Sequence, residues 1–194
     1  MSLEKYTINH TLLVLATGDL AEQDTQAVVN AANSSLSGGG GVDGALHRAG
    51  GLQILAECAA IIRKRGSLRP GEAVLTGGGN LAARYVIHTV GPVWQGGDCH
   101  EDETLRNAYH NSLALAREKN ISSLSFPSIS TGAYRFPLER AARIALSEIF
   151  GYIDSCQCFT EVRVILWKEY DFHVYHSCLE ELLKTTLYGK RTAL

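Results

Sequence analysis

Short β-rich runs alternate with amphipathic stretches along almost the whole 194-residue chain, and this alternation narrows the architecture more than any other feature. Thr11–Ala16 reads as a strand stopped by Thr17-Gly18-Asp19, and Ala27–Ala31 as a second, buried strand. Helical material follows from about Val42 to Arg65. The turn Arg69-Pro70-Gly71 then leads into strands at Glu72–Thr76 and Tyr85–Val90. Leu105, Ala108, Tyr109, Ser112, Leu113 and Ala116 recur at helical spacing as far as Asn120. Leu124–Ile129 and Val162–Trp167 read as strands, Pro137 opens a helix, and Asp171 is placed to cap a last one. Strands joined by helices build a mostly parallel sheet covered on both faces. Ligands of such sheets bind beyond the carboxyl ends of the strands. The two richest loops, 30–44 and 128–137, each follow a predicted strand, so both are expected on one rim.

A hydrophobic content of 45% supplies a core for a single domain spanning 1–194, with residues 1–4 read as a non-native or disordered start. The net charge of −2 argues against a face built for nucleic acid, but not against a small anion held by backbone amides. Five irregularly spaced cysteines, including Cys156 and Cys158, read as reduced thiols in a cytoplasmic protein rather than as a disulfide framework. No stretch of about 18 apolar residues is present, so no membrane partner is expected. The chain lacks H-E-x-x-H, paired C-x-x-C and G-x-S-x-G, so no metal, cofactor or serine nucleophile is expected.

Two constellations remain. In Asn30–Gly44, four consecutive glycines lead straight into a predicted helix start. Glycine runs cost backbone entropy, and close backbone approach to a ligand is one reason to keep them. Amides of Gly40, Gly41 and Val42 would converge on an anion with help from the helix dipole. A flexible loop with Asp43 as a plain helix cap fits the same residues equally well. Asp43 and His47 are four apart and share a helix face; Asp43 is suited to activating a water, and His47 taken alone reads as packing. Asn33 offers donors and acceptors to a pair of ribose hydroxyls, whereas Asn30 reads as structural. In the second constellation, Phe126–Pro137, amides of Ser130, Thr131, Gly132, Ala133 and Tyr134 can grip another phosphate, and an ordinary strand-to-helix turn is the alternative. Asp19 can accept from an exocyclic amine, and Trp167 either stacks on a base or packs in the core.

These stretches, together with Ala45–Gly51, Gly71-Glu72-Ala73 and Tyr85–Trp94, resemble the macrodomain family, in particular its bacterial and MacroD-type branch. The resemblance implies a three-layer α/β/α fold with a central mixed, mostly parallel sheet. It also implies a cleft for ADP-ribose and hydrolysis of esters on the distal ribose, namely O-acetyl-ADP-ribose and mono-ADP-ribosylated carboxylates on proteins. On that basis Asp19 and the Leu20 backbone hold the adenine, with Trp167 against it. Gly40–Val42 and Ser130–Tyr134 hold the diphosphate, and Phe136 lines the site. Asn33 and Asp43 form the catalytic pair, Tyr134 orients the distal ribose, and His47 lies beside it. Arg135, where many relatives carry glycine, departs from the pattern. A non-catalytic ADP-ribose reader, an ADP-ribose 1″-phosphate phosphatase and an RNA-associated regulator are the rival readings.

Overall fold

The structure is a computed structural model that describes residues 2–191, with side chains through Thr185. In chain order the elements are β1 (Leu3–Ile8), β2 (Thr11–Thr17), β3 (Ala27–Ala31), α1 (Gly41–Gly50), α2 (Leu52–Arg65), β4 (Ala73–Gly77) and β5 (Tyr85–Thr89). They continue with α3 (Glu101–Glu118), β6 (Ser123–Phe126), α4 (Leu138–Ser155), β7 (Glu161–Leu166) and α5 (Glu169–Arg191). All seven strands join one sheet in the order β1-β2-β7-β6-β3-β5-β4. The inner pairings are parallel, and the outer pairs β1–β2 and β4–β5 are antiparallel.

Side chains alternate across this sheet, so each strand feeds two cores. Leu13, Leu15, Val29, Ile87, Val162 and Val164 pack with α3, α4 and α5. Val14, Ala16, Val28, Val86 and Ile165 pack with Leu46 of α1 and Ile54 and Cys58 of α2. The result is the expected three-layer α/β/α arrangement with a mixed sheet.

Several expectations are corrected. Residues 3 and 4 belong to an ordered edge strand, β1, whose register pairs Leu3 with Ala16. The helical stretch 42–65 is two helices, because Gly51 between them takes φ 79°, which ends the first. β6 stops at Phe126, since Pro127 brings no N–H to continue the ladder. α5 begins at Glu169, so Asp171 lies in its first turn rather than capping it. Cys156 and Cys158 are joined in a disulfide instead of standing as reduced thiols: the turn after α4 brings their Cα atoms to 5.3 Å, within bridging range. No helix among the described residues is long and apolar enough to cross a membrane.

Candidate active site

β3 and β6 are parallel neighbours, so the loops that follow them leave the sheet from the same rim. The first loop is organised by Asn33. Its Oδ1 accepts from the Ser35 N–H at 3.1 Å and the Ser35 hydroxyl at 2.7 Å, and its Nδ2 donates to the Gly38 carbonyl at 2.9 Å. The amide expected to serve the ribose is therefore largely committed to its own loop. One N–H remains, near Gly39, where an added Cβ would lie 3.8 Å from Asn33 Nδ2 and 3.2 Å from Asp43 Oδ2.

The glycines have separate reasons. Gly41 has φ 58°, and a Cβ there or at Gly40 would point into open space. Gly44 lies against the Gly39 carbonyl with no room for a side chain. Gly40 precedes α1 with no side-chain cap. The first-turn amides of Gly41, Val42 and Asp43 thus have no partner within the helix, and the positive end of the helix dipole lies behind them.

The second loop is a tight turn on a buried floor. Ser130 and Arg135 both adopt left-handed conformations, at φ 67° and 56°. Phe136 N–H donates to the Ser130 carbonyl at 3.0 Å, and Arg135 N–H to the Gly132 carbonyl at 3.0 Å. Among the described residues the amides of Thr131, Gly132, Ala133 and Tyr134 donate to no protein group. Beneath, the Tyr109 hydroxyl donates to the Pro127 carbonyl and accepts from the Ile129 N–H, both at 3.1 Å, while the Tyr175 hydroxyl meets Ser128 Oγ at 2.8 Å. Burial pushes the Tyr109 phenol up to about 12 and that of Tyr175 well above its usual range, so both stay protonated hydroxyls. Trp94 secures the outer side: its backbone N–H donates to the Tyr134 carbonyl at 2.9 Å and its ring packs edge-on against Phe136. Phe136 is only 2% exposed. Its side chain belongs to the floor under the loop and does not line the opening.

Asp43, in the first turn of α1, is 6% exposed. Its Oδ1 accepts from Asn30 Nδ2 at 2.7 Å and lies 3.3 Å from His47 Nε2, while Oδ2 is the oxygen nearest Gly39. Behind Asn30 are His88, Thr76 and Cys58, none of which the sequence singled out. His47, Cys58 and His88 place potential ligand atoms within 4.8 Å of one another and form the candidate metal-binding set among the described residues. In the present arrangement both nitrogens of His88 are engaged, by Asn30 at 3.1 Å and Thr76 at 2.8 Å. Burial, reinforced by Asp43 and Glu57, pushes the Cys58 thiol up to about 12, and its Sγ lies 3.7 Å from His88 Nε2.

At the other end of the rim, β2 and β7 are parallel neighbours, and the Gly18 N–H donates to the Leu166 carbonyl at 2.9 Å. Asp19 follows β2 after Gly18, and Trp167 follows β7 directly. Asp19 uses Oδ1 to cap the turn Leu20–Glu22 through the Ala21 N–H at 2.8 Å, and its Oδ2 meets no donor among the described residues. Leu20 is buried, so only its backbone is available. Trp167 is 73% exposed, which removes core packing as its role. A surface groove of about 480 Å³ between α3 and α4, lined by His110, Arg117, Glu148 and Tyr152, holds none of the expected site residues.

Comparison with known proteins agrees with this fold. The Macro domain profile matches residues 29–145, the segment that carries both loops. The chain is 53% identical over 170 residues to the Macro domain-containing protein TTE0995 of Caldanaerobacter subterraneus, covering 88% of this chain and 97% of that one. It is 49% identical over 158 residues to O-acetyl-ADP-ribose deacetylase 1 of Pantoea vagans, covering 81% and 92%. Among solved structures, an Oceanobacillus iheyensis macrodomain variant with ADPR superposes with a TM-score of 0.90 at 40% identity, over 94% of this chain and all of that one. With its two loops on one rim and these relatives on either measure, the chain belongs to the Macro domain family.

Proposed function

We propose that the protein binds ADP-ribose across this rim and hydrolyses an ester on the distal ribose, with O-acetyl-ADP-ribose and mono-ADP-ribosylated Asp or Glu side chains as substrates. One observation carries the reading: a buried aspartate at a helix start, one oxygen held from behind and the other directed at a glycine loop with open amides. Similarity to proteins named O-acetyl-ADP-ribose deacetylase supports it, as does similarity to structures holding ADPR, ADP or ADP-ribose.

In this reading Trp167 stacks on the adenine and Asp19 Oδ2 accepts its amine. Amides of Gly40–Val42 and Ser130–Tyr134 surround the diphosphate, and Tyr134, His47 and the remaining Asn33 N–H border the distal ribose. Asp43 Oδ2 takes a proton from a water, whose oxygen adds to the ester carbonyl. The tetrahedral intermediate collapses, the ribose oxygen leaves with the proton that Asp43 returns, and the acid and free ADP-ribose are released. Fixed amides and a fixed base supply positioning and charge stabilisation, the usual large terms in catalysis.

The test is one incubation with O-acetyl-ADP-ribose and an ADP-ribosyl-glutamate protein, with Asp43→Ala alongside. Turnover should fall by about 10²–10⁴ in the variant if Asp43 is the general base, with a smaller effect on ADP-ribose affinity. Tight ADP-ribose binding without turnover in the wild type would instead identify a reader module, the alternative favoured by the commitment of Asn33 to its own loop. Phosphate release from ADP-ribose 1″-phosphate alone would identify the phosphatase.

A further inference from the structure

Asn30, His88 and Thr76 lie on the adjacent strands β3, β5 and β4, and the hydrolysis above uses none of them. Asn30 and His88 are partners in register, while Thr76 pairs with Val86, two residues from His88 on the same face. Their exposures are 0%, 0% and 3%. Burying three polar side chains under a catalytic carboxylate is costly unless each is paired, so the direction of every hydrogen matters.

The directions follow from Asp43. An ionised carboxylate only accepts, so the Asn30 amide nitrogen must face Oδ1, 2.7 Å away. The second hydrogen of that nitrogen faces His88 Nδ1 at 3.1 Å, which must therefore be the acceptor. The ring proton is then on Nε2 and goes to Thr76 Oγ1 at 2.8 Å. The Thr76 hydroxyl in turn donates to the Gly77 carbonyl at 3.1 Å. Asn30 Oδ1 is left buried without a partner. Flipping the amide would set that oxygen against the carboxylate, so the unpaired acceptor records which contact dominates.

We propose that Thr76, His88 and Asn30 are positioning residues: the chain from the Gly77 carbonyl locks one His88 tautomer, which fixes the Asn30 amide as a donor that turns Asp43 Oδ1 inward and leaves Oδ2 for the water. The kinetic consequence rests on the hydrolase reading; the tautomer does not. Burial, with a smaller contribution from His47, holds the His88 imidazole down at about 3. His88 is accordingly neutral during turnover and orients rather than relays a proton.

Thr76→Val, Thr76→Ser and Asn30→Asp are compared with wild type in the full chain. The readouts are kcat and KM on O-acetyl-ADP-ribose, calorimetric affinity for ADP-ribose, and the long-range ¹H–¹⁵N spectrum of the histidine rings. Wild-type His88 should show the Nε2–H tautomer. Thr76→Val, which removes its acceptor, should lose about 10- to 100-fold in kcat with ADP-ribose affinity retained, and Thr76→Ser should restore it. Asn30→Asp, which cannot donate, should lose at least as much and serves if the valine variant does not fold. A folded Thr76→Val protein with wild-type kcat, or an Nδ1-protonated His88, overturns the proposal. If the wild type shows no turnover, the hydrolase reading fails and the ring spectrum alone decides whether the chain exists as described.

Discussion

Gly91 lies so close under Ser130 that a Cβ at position 91 would overlap the serine hydroxyl and reach 2.6 Å from Ile129 Cγ2. Ser130 is already left-handed, and its Oγ is buried without a partner. The segment after β5 is therefore the base on which the second amide loop stands. Gly91→Ala has to lift that loop, because Ile129 beside it is fully buried and cannot move aside. We expect a loss of about 1–3 kcal/mol in unfolding free energy, as for other overpacked sites. ADP-ribose should bind about tenfold more weakly, equivalent to roughly 1.4 kcal/mol. Chemical unfolding and calorimetry check the pair. Weakened stability with unchanged ADP-ribose affinity would show that the loop is not part of the binding surface.

Trp167 presents the opposite case, a large aromatic held out in solvent at the end of β7. Removing it uncovers no core, so Trp167→Ala should leave the unfolding free energy within about 0.5 kcal/mol of wild type. If the ring stacks on adenine, the affinity for ADP-ribose should drop by about 1–3 kcal/mol. Ribose 5-phosphate, which has no base, should bind the two proteins alike. Tryptophan fluorescence gives a second check, since adenine binding should quench the wild type and not the variant. Equal ADP-ribose affinities would place the adenine elsewhere.

The rim and its two loops were legible because their signals are local. Asn30–Gly44 and Ser128–Pro137 carry the glycines, the prolines and the ends of apolar runs that mark strand-to-helix turns. The layer under Asp43 was not legible. His88 and Thr76 lie inside strands whose neighbours are apolar, and only the register of β3, β5 and β4 brings them to Asn30. Cys58 joins them from α2 by packing, with nothing in its spacing to show it. The hold of Asn33 on its own loop was not legible for a related reason: its side chain is suited to ribose hydroxyls and to that loop alike. β1 escaped notice because its alternation covers few residues, and what makes it a strand is its antiparallel register with β2.

Arg135 holds φ 56° in the middle of the second loop, a conformation that costs an L-residue roughly 1–2 kcal/mol. Its side chain is exposed. Glycine removes the strain but makes the unfolded chain freer by about 0.5–1 kcal/mol, so Arg135→Gly should be more stable by a net of about 0.5 kcal/mol. If the amides of this loop hold a diphosphate as proposed, the guanidinium also adds attraction that salt screens. The glycine variant should therefore bind ADP-ribose more weakly at low ionic strength, and the difference should shrink as salt is raised. A salt-independent difference would assign Arg135 a steric role in the cleft.

His88 also makes a prediction about acid stability. Burial is the main cause, and proximity to His47 the lesser one, of an imidazole held at about 3 against an ordinary 6.5. Between those two values the unfolded chain takes up a proton that the folded protein refuses. Folding free energy should then decline as pH falls below about 6.5, by up to roughly 1.4 kcal/mol per pH unit from this group alone, while above that pH its contribution is constant. The groups packed against the ring are Asn30, Thr76, Cys58 and His47, with Asp43 beyond Asn30, so a direct comparison is needed to isolate it. His88→Gln keeps a donor near Thr76 but has nothing to protonate. Urea unfolding across the range from about pH 7 to about pH 4 should show the wild type losing stability more steeply than the variant, with a gap that opens only on the acid side. Parallel curves would mean that His88 accepts its proton in the folded state, and the fixed tautomer beneath Asp43 would fail with it.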